Sequence, residues 1–566
     1  MMTYREEYEK WLGFEMLDAD LKRDLLSIKD EDDIKMRFGS SLEFGTAGLR
    51  GIMGAGINNM NIYTVRLATK GLADYLKEAN LSGGVAIAFD SRNNSRLFAV
   101  EAAKVLAEEG IKSYIYDTLR PTPQLSFTVR YLKCSAGIVV TASHNPKEYN
   151  GYKVYGSDGA QIVADVADII KVNMAKVDIF SVTAMDENEG IEKGFINYIG
   201  EEVDREFENG ALNLAICPDV IRKADMKIVY SPFNGAGNIP VRRVLKAAGL
   251  NNLFVVPEQE MPDGNFTTLK SPNPENFEGF ALSIKLAKEK GADLIIATDP
   301  DSDRVGVAVL MDNGEFINLT GNQTGALLTD YILSKRKEMG TLPENGFVIK
   351  TVVTNEISNK ICAAYGVECF DVLTGFKFIA DKIKEYEETG EKEFIFGFEE
   401  SFGYLCGDYV RDKDAVSASL LIAEMASDYK LRGMTLYDGL CALREKYGNF
   451  GEFIDNIYFE GLGGMEKIAA IMEKLRNNLP EEIGGSKVVS FTDILKGTKK
   501  DMISGEETKV MLPPSNVLKF KTEDGSFIAF RPSGTEPKFK IYSGFIADDI
   551  EKKSKAVKES IDKLMK

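Results

Sequence analysis

The 566-residue chain carries 87 acidic and 69 basic side chains, giving a formal net charge of -18. This balance argues against nucleic-acid binding, which needs cations that neutralise phosphates, and it requires any phosphate site to be a local cluster of cationic side chains and backbone N–H groups. The length predicts about three to five domains. No apolar run approaches the length of a membrane span. The six scattered cysteines are typical of reduced thiols in a cytoplasmic protein.

The first part of the chain has the pattern of an α/β protein. Residues 1–40 are charged and predict helices, and the glycine-rich stretch Phe44–Gly51 predicts a loop whose backbone can approach an anion closely. A plain turn is an equally simple interpretation of that stretch. Val85–Phe89 predicts a buried strand, after which helical and strand patterns alternate.

A serine follows the next buried strand. Gly137–Val140 is small or β-branched, as a buried strand requires, and the polar residues Thr141–Pro146 then predict a tight loop. Ser143 therefore lies where a strand opens into a loop, the usual place for chemistry in α/β proteins. We infer that Ser143 carries a phosphoryl group; a strand followed by an ordinary turn is the alternative.

His144, beside Ser143, is the only histidine of the chain. A Ser-His-Asp hydrolase brings its histidine to the nucleophile from elsewhere in the sequence, so hydrolase chemistry is disfavoured and a general base must come from another residue type. The next strand, Tyr149–Tyr155, can return Lys153 to the same site, although an exposed strand lysine is the more ordinary interpretation.

Another buried strand, Ala292–Ala297, leads into an acidic loop. Asp299, Asp301 and Asp303 stand at alternate positions there, and such carboxylates can converge on one hard divalent cation, which would offset their mutual repulsion. An EF-hand is excluded because its sixth position needs glycine and its twelfth needs glutamate, and these are Arg304 and Leu310. A phosphatase with an aspartate nucleophile is the second interpretation of this loop.

Two further loops are rich in polar side chains. Strand Glu393–Phe396 runs into a loop in which Glu399 and Ser401 alternate, as residues that bind vicinal hydroxyls would, although a capped helix start is an alternative. Near the end of the chain, Arg531–Lys540 combines arginine, lysines, hydroxyls and glycine, which is typical of a phosphate cradle.

Four motifs together resemble the α-D-phosphohexomutase superfamily, in its phosphoglucomutase branch, over about residues 40–545. They occur in family order: Thr141–Pro146, Asp299–Arg304, Glu399–Ser401 and Arg531–Thr535. Phe44–Gly51 is similar to a further glycine motif of the family. The resemblance implies an α/β fold of three related mixed α/β domains and a smaller C-terminal α+β domain around a central cleft. We expect these at residues 1–210, 211–320, 321–448 and 449–566.

The resemblance also implies a reaction and its site residues. Glucose 1-phosphate and glucose 6-phosphate would be interconverted through a phosphoserine enzyme and a glucose 1,6-bisphosphate intermediate, with that bisphosphate as activator and one Mg²⁺ per subunit. The implied catalytic residues are Ser143, Lys153, Arg304 and His144, and the implied metal ligands are Ser143, Asp299, Asp301 and Asp303. The implied substrate-binding residues are Arg50, Thr374, Gly375, Lys377, Glu399, Ser401, Lys413, Arg531, Ser533, Gly534, Thr535 and Lys540.

Several alternatives stay open at the level of the sequence. Phosphomannomutase or phosphopentomutase activity would use the same mechanism, and Phe398 stands before Glu399 where many relatives carry glycine. An aspartyl-phosphate phosphatase and a non-catalytic sugar-phosphate or cation binder are the interpretations from other classes. We expect a cytoplasmic monomer or weak homodimer that acts on a sugar phosphate, without nucleic-acid or membrane partners.

Overall fold

The computed structural model describes residues 2–45, 48–459, 463–533 and 538–565. These residues form two compact units: Met1–Thr320 with Ala380–Glu385 and Ser401–Thr435, and Gly321–Ile379 with Tyr386–Glu400 and Leu436–Lys566. Within the described ranges, we find no helix with both the length and the apolar composition that crossing a bilayer requires.

The first unit begins with helices that pack around an aromatic cluster. Trp11 is fully buried, and its ring meets Phe38, Tyr63 and Phe180 edge to face. The expected N-terminal helices are confirmed, and they are α1 (Tyr4–Gly13), α2 (Ala19–Ser27) and α3 (Glu31–Phe38).

The first sheet of this unit is mixed, in the order β1-β5-β4-β2-β3-β6. Its central strands are parallel, as buried strands joined by helices must be. Its elements are β1 (Gly48–Ile52), α4 (Ile62–Glu78), β2 (Val85–Phe89), α5 (Ser95–Glu108), β3 (Ser113–Tyr116), α6 (Thr122–Tyr131), β4 (Ala136–Val140), β5 (Tyr149–Gly156), α7 (Ala164–Ala175), α8 (Glu187–Glu192), β6 (Ile196–Ile199), α9 (Glu201–Leu212) and α10 (Asp219–Ala224).

The second sheet has the order β11-β10-β9-β7-β8 and repeats this plan. Buried β9 ends at Thr298, directly before the acidic loop, and β10 returns antiparallel to it. The elements are β7 (Lys227–Ser231), α11 (Asn238–Ala247), β8 (Asn252–Val255), α12 (Pro257–Glu260), a 3₁₀ turn (Phe277–Phe280), α13 (Ala281–Lys290), β9 (Leu294–Thr298), β10 (Val305–Leu310) and β11 (Phe316–Leu319), and later in the chain β15 (Gly403–Cys406) and α17 (Ala415–Leu431) join the first unit.

The second unit opens with a third α/β layer in which β13, β12 and β14 run parallel. Gly325 on its first helix lies against the ring of Phe398, where a Cβ atom would come within 2.2 Å of the ring. The elements are α14 (Gly321–Glu338), β12 (Gly346–Thr351), α15 (Ile357–Tyr365), β13 (Glu368–Val372), α16 (Phe376–Thr389), β14 (Glu393–Glu399) and α18 (Leu436–Tyr447).

The rest of the second unit is a β-rich C-terminal layer with strand order β16-β23-β22-β21-β18-β19-β20, and β17 pairs with β18. Within the second unit, Val353 and Leu373 share a buried cluster with Tyr542 of this sheet. The elements are β16 (Phe450–Tyr458), α19 (Gly464–Asn477), β17 (Glu482–Ile483), β18 (Ser486–Asp493), β19 (Thr498–Asp501), β20 (Glu507–Lys509), β21 (Leu518–Thr522), β22 (Phe527–Pro532), β23 (Lys538–Ile546) and α20 (Ile550–Met565).

Two local expectations need correction. The predicted glycine loop is in its second half a strand, because Gly48–Ile52 pairs antiparallel with β5 and Arg50 lies opposite Gly151. The sequence analysis also did not predict β6, which pairs parallel with β3. The predicted α/β class itself is confirmed, with three α/β layers followed by a β-rich C-terminal layer.

Candidate active site

The loop after β4 holds Ser143 in an unusual backbone conformation. Ser143 has φ +52°, a left-handed value that costs free energy in a residue other than glycine and is often found at functional sites. Its backbone N–H donates a 2.7 Å hydrogen bond to Thr141 Oγ1, which supports the turn. The residue is 3% exposed, so the loop presents the serine hydroxyl within a buried site.

Arg92, which follows the end of β2, stabilises the same loop. Its guanidinium donates hydrogen bonds to the backbone carbonyl oxygens of Ser143 and Asn145, and to that of Pro146 at 2.9 Å. Arg92 itself is buried, and its Nε lies 3.3 Å from Asp90 Oδ2. Arg92 was not predicted as a site residue from the sequence. The only signal for it was a charged Asp-Ser-Arg stretch directly after a buried strand.

The Ser143 hydroxyl lies between a carboxylate and the histidine. Ser143 Oγ donates to Asp299 Oδ2 at 2.8 Å and lies 3.0 Å from His144 Nδ1. Burial, reinforced by the positive charges of Arg304 and Arg50, lowers the pKa of His144 well below its usual value. His144 is therefore neutral. It contacts Ser143 because the two residues are adjacent in the sequence, and not as a member of a hydrolase triad.

The three predicted aspartates converge. Asp299, Asp301 and Asp303 are buried, and one carboxylate oxygen from each lies within 4.8 Å of the others. Asp299 Oδ1 also accepts the backbone N–H groups of Asp303 and Arg304, at 3.1 and 3.0 Å, which folds the loop around the cluster. Burial and the neighbouring carboxylates raise the pKa of Asp299 well above its usual value.

Cationic side chains surround this acidic cluster. Lys153 Nζ lies 3.0 Å from Asp301 Oδ2, and Lys413 Nζ lies 3.0 Å from Asp303 Oδ2. Lys153 is 8% exposed, so the sequence-based alternative of an exposed strand lysine is wrong. Arg304 pairs with Glu275 at 3.0 Å at the edge of the cluster. In this way, β5 delivers a lysine to the acidic loop of the second sheet.

The cluster fits a hard divalent cation. Asp301 Oδ1 and Asp303 Oδ1 are buried and accept no hydrogen bond from a donor in the described ranges, so both oxygens remain available as ligands for a cation. Carboxylate and hydroxyl oxygens are the ligands that Mg²⁺ prefers. Thr122, which the sequence analysis missed, donates to Asp301 Oδ2 at 2.9 Å and orients the carboxylate for such a role.

Three of the predicted substrate residues meet in the second unit. The N–H of Gly375 donates to Glu399 Oε1 at 2.7 Å, which orients the carboxylate at the end of β14. Gly375 has φ +119°, a value suited to glycine, and lets the chain turn into α16. Thr374 Oγ1 is buried and has no partner within the described residues, so this loop offers both a carboxylate and a hydroxyl.

The predicted phosphate strands adjoin this loop within the second unit. Arg531 on β22 is the register partner of Lys540 on β23, and Lys540 acts electrostatically on Glu400. Glu400 Oε2 accepts the Thr351 hydroxyl at 3.1 Å. Burial and the adjacent Glu399 raise the pKa of Glu400 to about 7.

Glu400→Gln should flatten the pH dependence of stability. A carboxyl whose pKa is raised from 4.5 to about 7 on folding contributes stability that is present below pH 4.5 and is lost as the pH rises through 7, in total about 3 kcal/mol. We expect wild type to lose most of this amount between about pH 5 and pH 8 and Glu400→Gln to show no such loss, as measured by urea denaturation at both pH values. Glu393→Gln, at the exposed start of β14, the strand that precedes Glu400, is the control. A pH dependence unchanged in Glu400→Gln would contradict this assignment.

The remaining predicted residues have the following positions. Arg50 donates to Asn145 Oδ1 at 3.2 Å, beside the serine loop. Lys377 lies over the Phe378 ring, 5.2 Å from its centroid. Ser401 belongs to the first unit and Ser533 to the second, where its N–H donates to the Lys538 carbonyl at 2.8 Å. Gly534 and Thr535 lie outside the described residues.

Solved structures with this architecture carry names from one enzyme class. A phosphoglucomutase/phosphomannomutase family protein of Burkholderia thailandensis superimposes with a TM-score of 0.68 at 19% identity, covering 93% of this chain and 97% of that one. The open form of pp63/parafusin, a phosphoglucomutase of Paramecium, gives a TM-score of 0.67 at 18% identity over 93% and 95%. The chain therefore has the multidomain fold of these proteins.

Sequence comparison goes further than the fold. The α/β/α domains I, II and III of the phosphoglucomutase/phosphomannomutase family match residues 41–179, 205–311 and 320–447 of this chain, respectively. Phosphoglucomutase of Staphylococcus haemolyticus is 39% identical over 92% of this chain and 93% of its own length, and that of Staphylococcus epidermidis is 36% identical over 97% and 98%. The chain belongs to the phosphoglucomutase/phosphomannomutase family of enzymes.

Proposed function

We propose that this enzyme is a phosphoglucomutase, interconverting glucose 1-phosphate and glucose 6-phosphate through a phosphorylated Ser143. The observation that carries the proposal is the contact between Ser143 and the buried aspartate cluster, with Oγ 2.8 Å from Asp299. Relatives that share 36–39% identity over most of their length and are named phosphoglucomutase support the same activity.

The reaction transfers one phosphoryl group in each of two steps. A sugar hydroxyl attacks the phosphorus of phospho-Ser143, a P–O bond to the sugar forms and the bond to Ser143 Oγ breaks. The resulting glucose 1,6-bisphosphate reorients, and its other phosphate returns to Ser143. Such in-line transfer depends mainly on positioning and on the neutralisation of charge around the transferred group. The buried loop, fixed by Arg92 and Thr141, provides the positioning.

A Mg²⁺ ion would be held by Asp299, Asp301 and Asp303 together with an oxygen on Ser143. When bound, the ion supplies Lewis-acid neutralisation of phosphoryl charge. Lys153 Nζ lies 3.0 Å from Asp301 Oδ2, so its amine, in the neutral form, is placed to accept the proton of the attacking hydroxyl. Arg304 stays charged and stabilises the transferred group.

A further group of residues holds the sugar phosphate. Glu399, fixed by the Gly375 N–H, accepts hydrogen bonds from sugar hydroxyls, with Thr374 and Ser401 as further hydroxyl contacts. Arg531, Lys540, Lys377 and the Ser533–Thr535 stretch hold the phosphate that is not being transferred, since guanidinium, ammonium and backbone N–H groups suit its charge. Phe398 is fully buried against Gly325, so its ring fills the core and does not contact the sugar.

A coupled assay across sugar 1-phosphates tests the proposal. Glucose, mannose, N-acetylglucosamine and ribose 1-phosphates are supplied with Mg²⁺, with and without glucose 1,6-bisphosphate. We expect glucose 1-phosphate to be isomerised at least about tenfold better than the others, a difference of about 1.4 kcal/mol in transition-state binding, and the bisphosphate to stimulate the reaction. Release of free phosphate without isomerisation would contradict the proposal and favour the phosphatase interpretation.

We also propose four domains at residues 1–210, 211–320, 321–448 and 449–566, and a cytoplasmic monomer or weak homodimer. The matched family ranges of residues 41–179, 205–311 and 320–447 support the first three boundaries. None of the six cysteines forms a disulfide bond, which suits a reducing compartment.

A further inference from the structure

A further buried carboxylate, outside the aspartate cluster, lies on the segment Arg411–Asp414. Asp412 is 1% exposed, and its Oδ2 accepts the Tyr155 hydroxyl at 2.6 Å and the Gln161 amide at 3.1 Å. Its Oδ1 accepts both the backbone N–H of Lys413 at 2.8 Å and the Lys413 ammonium at 3.0 Å. All four possible hydrogen bonds of this carboxylate are thus made within the protein.

Lys413 bridges Asp412 to the aspartate cluster. Its ammonium lies 3.0 Å from Asp412 Oδ1 and also 3.0 Å from Asp303 Oδ2. Its aliphatic stem passes over Gly403, where a Cβ atom would come within 2.2 Å of the Lys413 Cδ atom. An unconstrained lysine side chain samples many rotamers. The contacts with the two carboxylates and with Gly403 therefore restrict Lys413 to one of them.

The segment that carries Asp412 is itself fixed to its surroundings. The N–H of Arg411 donates to Ser126 Oγ at 2.8 Å, and the N–H of Ala415 donates to the carbonyl oxygen of Ser302, in the acidic loop, at 3.2 Å. Burial, together with Asp412, raises the pKa of Tyr155 well above its usual value, so its hydroxyl stays a donor. A continuous hydrogen-bonded series therefore runs from Tyr155 on β5 through Asp412 and Lys413 to Asp303.

We propose that Asp412 is a positioning residue of this enzyme, held by Tyr155 and Gln161, which fixes the Lys413 ammonium against Asp303 in the phosphoryl-transfer site. This inference rests on the proposed function for its kinetic consequence. Asp412 does not touch the reacting atoms. It determines where the positive charge of Lys413 is placed while the phosphoryl group moves, and it should therefore affect kcat more than KM.

Asp412→Asn and Tyr155→Phe test the kinetic consequence, with Tyr409→Phe as the matched control. Tyr409 donates a hydrogen bond from its hydroxyl to Asp414 in the same segment. Asp414 caps helix α17, which is a different role from holding Lys413. Asp412→Asn should lower kcat about tenfold with less than about threefold change in KM, the size expected for a lost charge-assisted contact.

The two tyrosine variants separate positioning from folding. We expect Tyr155→Phe to lower kcat about threefold, Tyr409→Phe to stay within about twofold of wild type, and their thermal midpoints to agree. In the Asp412→Asn background, Tyr155→Phe should cause no further loss, because it acts through the missing carboxylate. Equal kinetic losses in the two tyrosine variants, or additive losses in the double variant, would overturn the proposal.

A crystal structure of Asp412→Asn gives a readout that does not depend on turnover. We expect the Lys413 ammonium to leave its position between residue 412 and Asp303. An ammonium that keeps both contacts in this variant overturns the inference, whatever the activity. Conversely, a wild-type enzyme that does not isomerise glucose phosphates, combined with a displaced Lys413, counts against the proposed function alone.

Discussion

Ser143→Ala is expected to abolish both the phosphoryl adduct on the protein and its mutase turnover, with a loss of at least about 10⁴-fold. The Ser143 hydroxyl lies 2.8 Å from Asp299 and 3.0 Å from His144, whereas the Thr141 hydroxyl of the same loop accepts the Ser143 backbone N–H. The neutral His144 does not replace the missing hydroxyl in Ser143→Ala, because the imidazole ring would have to move into the position of the serine oxygen.

Intact-mass analysis before and after incubation with glucose 1,6-bisphosphate measures the adduct, and the coupled assay measures turnover. Ser157→Ala, in the exposed turn after β5, is the control, and we expect it to keep both properties. The methyl side chain of alanine removes the hydrogen bond to Asp299 but leaves the backbone support from Thr141 and Arg92, so the variant should fold. Wild-type turnover in Ser143→Ala would refute the phosphoserine mechanism.

Much of the fold was predictable because buried parallel strands have a strong local signature. Val85–Phe89 and Leu294–Thr298 are continuous apolar runs that end in polar residues, and both are strands. The polar residues that follow such strands must lie at the carboxyl edge of a sheet, so Ser143 and the three aspartates could be predicted as candidate site residues from their order alone.

The glycine stretch was harder to predict because its structure depends on a distant partner. Gly48–Ile52 has little strand propensity of its own, and it becomes a strand through antiparallel pairing with Tyr149–Lys153, about a hundred residues later. Gly48, at φ +139°, lies so close to the Tyr152 carbonyl oxygen that a Cβ atom would be within 1.9 Å of it. Glycine there serves close strand packing, which composition alone does not distinguish from a loop.

The residues that support the site could not be predicted because their partners are far apart in sequence. Arg92 fixes a loop about fifty residues away through backbone carbonyls, which any sequence would provide. Tyr155 and Asp412 are separated by 257 positions, and each looks ordinary in its own segment. Such contacts depend on tertiary packing, whereas the motifs that bear the chemistry repeat a local strand-to-loop pattern.

Asp301→Asn should have the second large effect, by removing one ligand from the proposed cation site. We expect turnover with Mg²⁺ to fall by about 10²- to 10³-fold and the Mg²⁺-dependent increase in melting temperature to disappear. Asp301 Oδ1 is buried and accepts no hydrogen bond from any described donor, so a cation is its natural partner. An amide at this position is neutral, and it can no longer offset the charge of a divalent ion.

Differential scanning fluorimetry over a Mg²⁺ titration, begun after treatment with a chelator, separates this effect from misfolding. In the metal-free protein the variant relieves repulsion among three carboxylates but loses the 3.0 Å ion pair with Lys153, so we expect the two effects to oppose each other and the melting temperature to change little. Asp312→Asn, in the exposed turn after β10, is the control and should keep the full Mg²⁺ response. If Asp301→Asn kept the response of wild type, the cation would have to bind elsewhere. The negative charges of Asp301 and Asp303 would then be balanced by the neighbouring cations Lys153, Lys413 and Arg304.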